Sequence, residues 1–433
     1  MKKLFIAALV TLIGLAFTAP SFAIEHEFGG YWRVRMYTQK NFDGSSDEAG
    51  TPTTTWALTD PTNTGAFAAT PTTTRTGGDV AKADTRTRLY YTATINDNLK
   101  FVNKFEMDAD WGGTDTYGRI GADAVNVQVK HTYADFNLGA LNAKVGTQGT
   151  VIQRGFIFDD DFSGVVLSGA GVTAKYIKIE ENDDNVAGDV TGYSLSYAVD
   201  LDTVKLTPVF TYVDDEDDDY VWFAGLDVDA TLGAASLWGT FIYNGGEDAN
   251  AGATDDDIDA WLVAAGATFK LTDMFSIHGQ AFYATGDDNN LDNDDEAFVF
   301  IPGQSYYWSE IMGKGLFDMG AGVSNNSPGT DNLTNITAAN LGVTFAPMEK
   351  LTLTADLWYA RLNEVTSTPA NPQDEDLGFE IDLRATYELV DGLTLDVVGA
   401  YLFADDGTTG TGINKVTNEE DPWEFGTQLS LSF

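Results

Sequence analysis

The stretch Leu377-Gly378-Phe379-Glu380-Ile381-Asp382-Leu383-Arg384-Ala385-Thr386-Tyr387-Glu388-Leu389 places apolar or aromatic residues at every odd position and, Gly378 apart, polar or charged ones at every even position. Successive side chains of an extended strand point to opposite faces, so one face here suits an apolar surrounding and the other suits water. The same period of two recurs from Phe28 to Phe433, and the 3.6-residue period of an amphipathic helix is almost absent. A soluble β-sandwich also alternates; strand length separates the two cases. About eighteen segments can be read, many near the ~9–11 residues that cross a bilayer at a tilt. They start near residues 26, 85, 99, 125, 140, 164, 172, 190, 203, 218, 235, 257, 273, 332, 350, 377, 392 and 422.

The connections fall into two kinds that alternate along the chain. Asn96-Asp97-Asn98, Thr272-Asp273, Glu349-Lys350 and Asp391-Gly392 are tight turns, each followed by an apolar-polar-apolar start. The other connections, near 38–84, 112–124, 151–163, 246–256, 287–331, 364–376 and 405–421, are long and rich in Asp, Asn, Gly, Thr and Pro. Short turns at one end and long loops at the other describe an antiparallel up-and-down transmembrane β-barrel in a single domain over 24–433. Termini on one side require an even strand count. Eighteen satisfies this with 296–312 assigned to a loop, and sixteen remains an alternative because the segment at 164–169 is short.

Composition agrees with export and membrane insertion. Lys2 and Lys3, the apolar run from Leu4 to Phe17 and the small residues up to Ser21-Phe22-Ala23 read as a secretory leader cleaved before Ile24. After it, no apolar run reaches the ~20 residues of a membrane helix. With 24 Lys and Arg against 66 Asp and Glu, the formal charge is −42, which excludes nucleic acid as a partner. An aromatic content of 12% argues against disorder, and the absence of cysteine leaves the backbone ladder to hold the fold.

The final segment, Pro422-Trp423-Glu424-Phe425-Gly426-Thr427-Gln428-Leu429-Ser430-Leu431-Ser432-Phe433, resembles the terminal signal of outer-membrane barrels. In that family it is read by the barrel-assembly machinery, which assigns Phe425, Leu429, Leu431 and Phe433 here. Lys144-Val145-Gly146-Thr147-Gln148-Gly149, Phe158-Asp159-Asp160-Asp161-Phe162-Ser163-Gly164-Val165 and Tyr306-Tyr307-Trp308-Ser309-Glu310-Ile311-Met312-Gly313 are similar to stretches of porins from sulfate-reducing and related bacteria. The broader resemblance is to general-diffusion porins of Gram-negative outer membranes. It implies a water-filled channel for passive diffusion of small hydrophilic solutes and ions, contact with outer-membrane lipid and lipopolysaccharide, and a homotrimer joined near the terminal strands.

If apolar residues face lipid, the opposite face lines the channel. The first five strands then point Arg33, Arg35, Arg86, Arg88, Lys100, Lys104, Lys130 and Lys144 inward, a clustered basic wall. Asp159, Asp160 and Asp161 in the loop after the fifth strand, with Glu380, Asp382 and Asp396 on late strands, are the expected opposing carboxylates. Such an arrangement sets a transverse field across a narrow aqueous gap, as porins that resemble this chain do. The bland alternative is the solvated interior of a wide barrel. The acidic runs at 214–219, 255–257 and 287–296 fit no EF-hand spacing, so no cofactor or metal site is expected beyond diffuse Ca²⁺ binding. Aromatics such as Tyr31, Trp32, Tyr37, Tyr90, Tyr91, Trp111, Tyr133, Tyr243, Tyr283, Trp358, Tyr359, Tyr387 and Tyr401 lie near segment ends, where interface girdles belong. An enzyme is not expected. His26, His131 and His278 are the three histidines, His131 alternating with Val125, Val127 and Val129, and neither Gly-x-Ser-x-Gly nor His-Glu-x-x-His occurs. A substrate-specific channel is the rival reading, with a barrel hydrolase or an adhesive barrel far behind. Net acidity implies weak cation preference, tempered by the basic wall.

Overall fold

Alternating segments rich in Val, Ile, Thr and aromatic residues extend as strands because branched and ring side chains pack well on a pleated surface. The computed structural model describes residues 24–41, 52–59, 68–75, 80–113, 117–122, 127–181, 188–215, 220–248, 256–288, 294–299, 301–317, 333–365, 374–408 and 421–433. Eighteen antiparallel strands close into one barrel. They are β1 (Glu25–Lys40), β2 (Val80–Asn96), β3 (Leu99–Asp110), β4 (Gln128–Leu138), β5 (Leu141–Ile152), β6 (Phe158–Gly169), β7 (Val172–Glu180) and β8 (Val190–Tyr197, continued by Val199–Leu201). Next come β9 (Val204–Asp215), β10 (Tyr220–Leu232), β11 (Ala235–Asp248), β12 (Asp256–Lys270) and β13 (Phe275–Ala284). The last five are β14 (Ile336–Met348), β15 (Leu351–Leu362), β16 (Asp376–Val390), β17 (Leu393–Ala404) and β18 (Trp423–Ser432). A separate hairpin, Pro52–Thr59 with Ala68–Arg75, stands in the β1–β2 connection.

The largest departure from the expected starts is at β6, which begins at Phe158 rather than near 164, so Phe158 to Ser163 is strand and not loop. The described residues of 296–312 form no barrel strand; beside them Asp294 and Asp295 make only a short parallel bridge to β12. The expected alternation of short and long connections holds: every connection at one end spans two residues except 271–274, and every connection at the other end spans four or more. The expected leader lies outside the described residues, as do parts of the three acidic runs.

The barrel closes where β1 pairs with β18 on one side, from Tyr31 opposite Ser432 to Lys40 opposite Trp423, and with β2 on the other. At the foot of this seam Gly30 N donates to Phe433 O at 2.8 Å, and Phe433 N donates to Gly30 O at 3.2 Å. A Cβ on Gly30 would lie 2.5 Å from the Phe433 ring, so the close approach requires glycine. Outward positions form an apolar surface with ring pairs such as Tyr176 with Tyr193, Trp222 with Tyr243, and Trp261 with Tyr283. Of the expected girdle, Tyr37 and Trp358 instead turn inward and are buried, and Tyr133 sits inside under the Lys144 ammonium.

The expectation that the inner face is uniformly polar holds for only part of the circumference. From β9 to β17 the inner face carries Phe223, Ile242, Leu262, Phe282, Ile336, Ala338, Trp358, Ala360 and Leu402, all buried. They pack with Phe298, Ile301, Trp308, Ile311, Met312 and Leu333 of the β13–β14 connection and with Phe156, Phe158 and Phe162 of the β5–β6 hairpin. The barrel therefore contains an apolar core of its own, and strands bounding it are apolar on both faces, as in Ala260-Trp261-Leu262-Val263-Ala264.

Candidate site: a charged passage inside the barrel

Two chain segments enter the lumen. Pairing of β4 with β5 stops at Thr132 and Thr147, and pairing of β6 with β7 stops at Ser163 and Lys178, yet β5 and β6 stay paired up to Ile152 and Phe158. Residues 148–162 thus leave the wall as a hairpin and cross the interior. At the tip, Arg154 Nη2 donates to Asp229 Oδ1 at 2.8 Å and Arg154 Nε to Thr240 Oγ1 at 3.1 Å, with its guanidinium over the Trp238 ring. Gln153, Arg154 and Gly155 all have positive φ (46°, 60° and 93°). Two non-glycine residues there store strain that these far-wall contacts offset.

The β13–β14 connection meets this hairpin and then reaches the opposite wall. Asp159 N donates to Gly303 O at 2.8 Å, Gln304 Nε2 to Phe156 O at 2.6 Å, and the rings of Phe156 and Tyr306 stack at 4.2 Å. Further on, Glu380 of β16 accepts from Ile311 N (2.7 Å), Met312 N (2.9 Å) and Ser309 Oγ (3.1 Å). Asp382 accepts from Glu310 N at 3.3 Å, Arg35 donates to Leu316 O at 3.1 Å, and Phe317 stacks on Tyr37. Burial pushes the Glu310 carboxyl above its ordinary value, and burial likewise raises the Tyr306 hydroxyl to about 12. The expected opposing carboxylates Glu380 and Asp382 therefore anchor a loop rather than face open water. Asp396 is paired with Arg384 at 2.9 Å on the neighbouring strand.

The basic residues are where parity put them, but Arg35, Arg86 and Arg88 are neutralised on their own wall. Arg35 forms a buried pair with Asp84 at 2.9 Å. Arg86 pairs with Asp108 at 2.7 Å and Arg88 with Glu106 at 2.5 Å, each directly across the β2–β3 ladder. Lys82 meets Asp110 at 2.9 Å. Arg33, buried on β1, lies opposite Arg86. Lys100 is exposed at the turn end, and Lys144 covers Tyr133. The expected uniform basic wall is thus a zipper of alternating charges. Lys82, Asp84, Glu106, Asp108 and Asp110 were missed, although they share the inward parity of Arg86, Arg88 and Lys104 and so carried a signal.

A second correction concerns His131. The β3–β4 ladder shifts between Lys104 and Phe105, leaving Lys130 as an extra residue, and such a bulge turns neighbouring side chains to one face. Lys130 and His131 both point inward and hold Asp161 of the hairpin at 2.7 Å each. Asp161 thus meets the basic wall, Asp160 accepts the Asp161 N–H at 2.7 Å, and Asp159 lies one step nearer the tip. Lys175, not foreseen, ties β7 to the hairpin through Val151 O at 2.8 Å. His278 bonds Asp356 at 2.8 Å and Thr344 at 3.4 Å, and His26 bonds the Tyr91 hydroxyl.

Three recesses line the remaining passage. One of about 530 Å³ lies among Arg88, Lys104, Lys130, His131 and Asp159 to Asp161. A second, of about 400 Å³, is bounded by Arg154, Asp159 and Ser305 to Tyr307. The third, about 510 Å³, lies among Tyr307, Glu310, Asp356, Asp382, Arg384 and His278. Asp159 joins the first to the second and Tyr307 the second to the third. Among the described residues no group of three or more His, Asp or Glu side chains forms a metal site.

An eighteen-stranded closed barrel narrowed from within by folded-in segments has the architecture of outer-membrane porins. Among solved structures, OprD of Pseudomonas aeruginosa matches with a TM-score of 0.57 at 13% identity, over 96% of this chain and 97% of that one. A BenF-like porin from Pseudomonas fluorescens Pf-5 matches with a TM-score of 0.55 at 14% identity, over 94% and 99%. OccK11 (OpdR) of Pseudomonas aeruginosa gives 0.54 at 12%, over 94% and 96%. Identity this low shows a shared fold. These structures are of Pseudomonas proteins; they support the porin fold and not specifically the general-diffusion porins or the porins of sulfate-reducing bacteria expected from the sequence. No protein-family model matches the sequence, and no curated protein does.

Proposed function

We propose that the chain is an outer-membrane porin, exported with loss of residues 1–23, that passes small hydrophilic solutes passively and sorts them by charge. The observation that carries this reading is the row of three recesses joined through Asp159 and Tyr307 between a charge-zippered wall and two folded-in segments. A wide lumen sieves by size. Here the folded-in segments bring fixed charges of both signs to the edges of the free space, where field and hydrogen-bonding groups decide passage. That favours a solute-selective channel over general diffusion. The reading takes the chain as a channel and not an enzyme: His131 and His278 serve as wall residues bonded to Asp161 and Asp356. The same reading includes lipid and lipopolysaccharide around the wall, assembly machinery reading Phe425, Leu429, Leu431 and Phe433, and a homotrimer.

The test is reconstitution of the exported chain in planar bilayers under a KCl gradient, with flux of neutral sugars and charged solutes into proteoliposomes. Stepwise conductance with saturable flux of some charged solutes is expected. Linear flux of all small solutes would restore the general-diffusion reading, and a folded barrel that never conducts would overturn the channel altogether.

A further inference from the structure

The third recess, of about 510 Å³, has the size of a small-molecule site, and its lining is built for hydrogen bonds rather than for net charge. His278 of β13, Gly342 of β14 and Asp356 of β15 stand in one row across two ladders, and the His278–Asp356 bond passes over the glycine. A Cβ on Gly342 would lie 2.1 Å from Asp356 Oδ1 and 2.2 Å from His278 Nε2, so any side chain there would break the bond. Asn340 also donates to Asp356 Oδ1, at 2.7 Å, and the Tyr306 hydroxyl donates to Gln280 Oε1 at 2.6 Å. Each of these bonds fixes one end of a two-ended group. Asp356 Oδ2, the Gln280 amide N–H₂ and the Thr354 hydroxyl, all on residues lining the recess, have no partner among the described residues. The charged neighbours are engaged already: Arg384 by Asp396, Lys314 over the Tyr307 ring at 5.6 Å, and Glu310 and Asp382 by backbone N–H groups of the folded-in connection. The Tyr307 ring remains 47% exposed.

We propose that this recess docks a neutral, hydroxyl-rich solute, a sugar or a sugar alcohol. The site presupposes the channel reading and deepens it: charges at the first recess sort ions, and the third selects on hydroxyl groups. A hydroxyl donates and accepts at once, so it is matched by an acceptor, a donor and a second hydroxyl held in one pocket, which Asp356, Gln280 and Thr354 supply. A solute without hydroxyls leaves these groups unpaired and is disfavoured. The face of the Tyr307 ring carries negative charge density and suits the C–H face of a pyranose.

The experiment compares wild type, Q280L, Y307A and K100Q in proteoliposomes, the last an exposed position at the turn end of β3 and outside the recess. Initial fluxes of glucose, sorbitol and acetate are read against concentration, and zero-current potentials in a KCl gradient. Wild-type glucose flux should saturate. Q280L and Y307A should each raise the half-saturation concentration about fivefold, the loss of one hydrogen bond or one ring contact. K100Q should match wild type for glucose. Neither Q280L nor Y307A changes a charge, so acetate flux and the KCl potential should stay at wild-type values in both. Y307A removes a half-exposed side chain and keeps the test open if Q280L fails to fold. Glucose and sorbitol share hydroxyl groups, and only glucose has a rigid C–H face. A rise for glucose alone in Y307A would assign the site to ring sugars; equal rises would assign it to polyhydroxyl solutes generally. Linear glucose flux through conducting wild-type channels would overturn the proposal and leave the channel standing. So would an unchanged half-saturation in either variant that conducts. If wild type forms no channels, the channel reading falls first.

Discussion

Gly155 sits at φ 93°, and a Cβ there would lie 2.3 Å from the Ser305 carbonyl oxygen. Replacing it with alanine adds left-handed strain to overpacking, together roughly 2 to 4 kcal/mol. G155A should therefore lower the melting temperature of the refolded barrel measured by circular dichroism, while G233A, at a turn with open space, should cost much less. Glu310 permits a pH prediction. Its folded carboxyl is raised by burial above the value of 4.5, so the seated loop binds a proton more tightly than the released one does. Its contribution is fully favourable below that value and is lost as pH rises. Gln at this position removes the charge that must be buried. The melting temperature of E310Q minus that of wild type should be near zero at about pH 4 and grow toward pH 7; a constant difference would show that Glu310 is solvated.

The β5–β6 hairpin is fastened at its base by Asp161 to Lys130 and His131, and at its tip by Arg154 to Asp229. D161N should loosen the base and free Lys130, raising chloride permeability in the zero-current assay and adding flicker to single-channel records. Quiet records with wild-type selectivity would mean that the base is held by the Phe158 and Phe162 packing alone. How much of this was legible in the sequence follows from how each element is encoded. Strands are written in a two-residue period, so β7, β8 and β11 start where the alternation places them. The hairpin is not so written. Phe158-Asp159-Asp160-Asp161-Phe162 alternates poorly because its two faces meet an apolar core and a charged wall, neither of them lipid, and it was read as loop. Arg154 reaches Asp229 and the Glu310 N–H reaches Asp382, both more than 60 residues distant, and no local pattern encodes such contacts. The bulge that turns His131 inward breaks the very parity used to orient it.

At the scale of the molecule, the lumen is half solid. The absence of cysteine allows each inward position to be probed singly. A264C and A360C point inward at the core and should resist a water-soluble maleimide, whereas K104C and K144C should label readily. Equal labelling would mean that the core is hydrated and the passage central. The two halves of the wall also differ in how they resist slippage. Where both faces of a strand are apolar, as around Leu262, sliding past a neighbour by one residue buries no charge and exposes no oil to water, so polarity does not forbid it. Between β2 and β3 the same slide would set Arg86 and Arg88 against the faces of Met107 and Phe105 and strand Glu106. The ion pairs that empty the wall of net charge therefore also lock the alignment of the sheet, and the apolar half inherits its alignment around the closed ring from them.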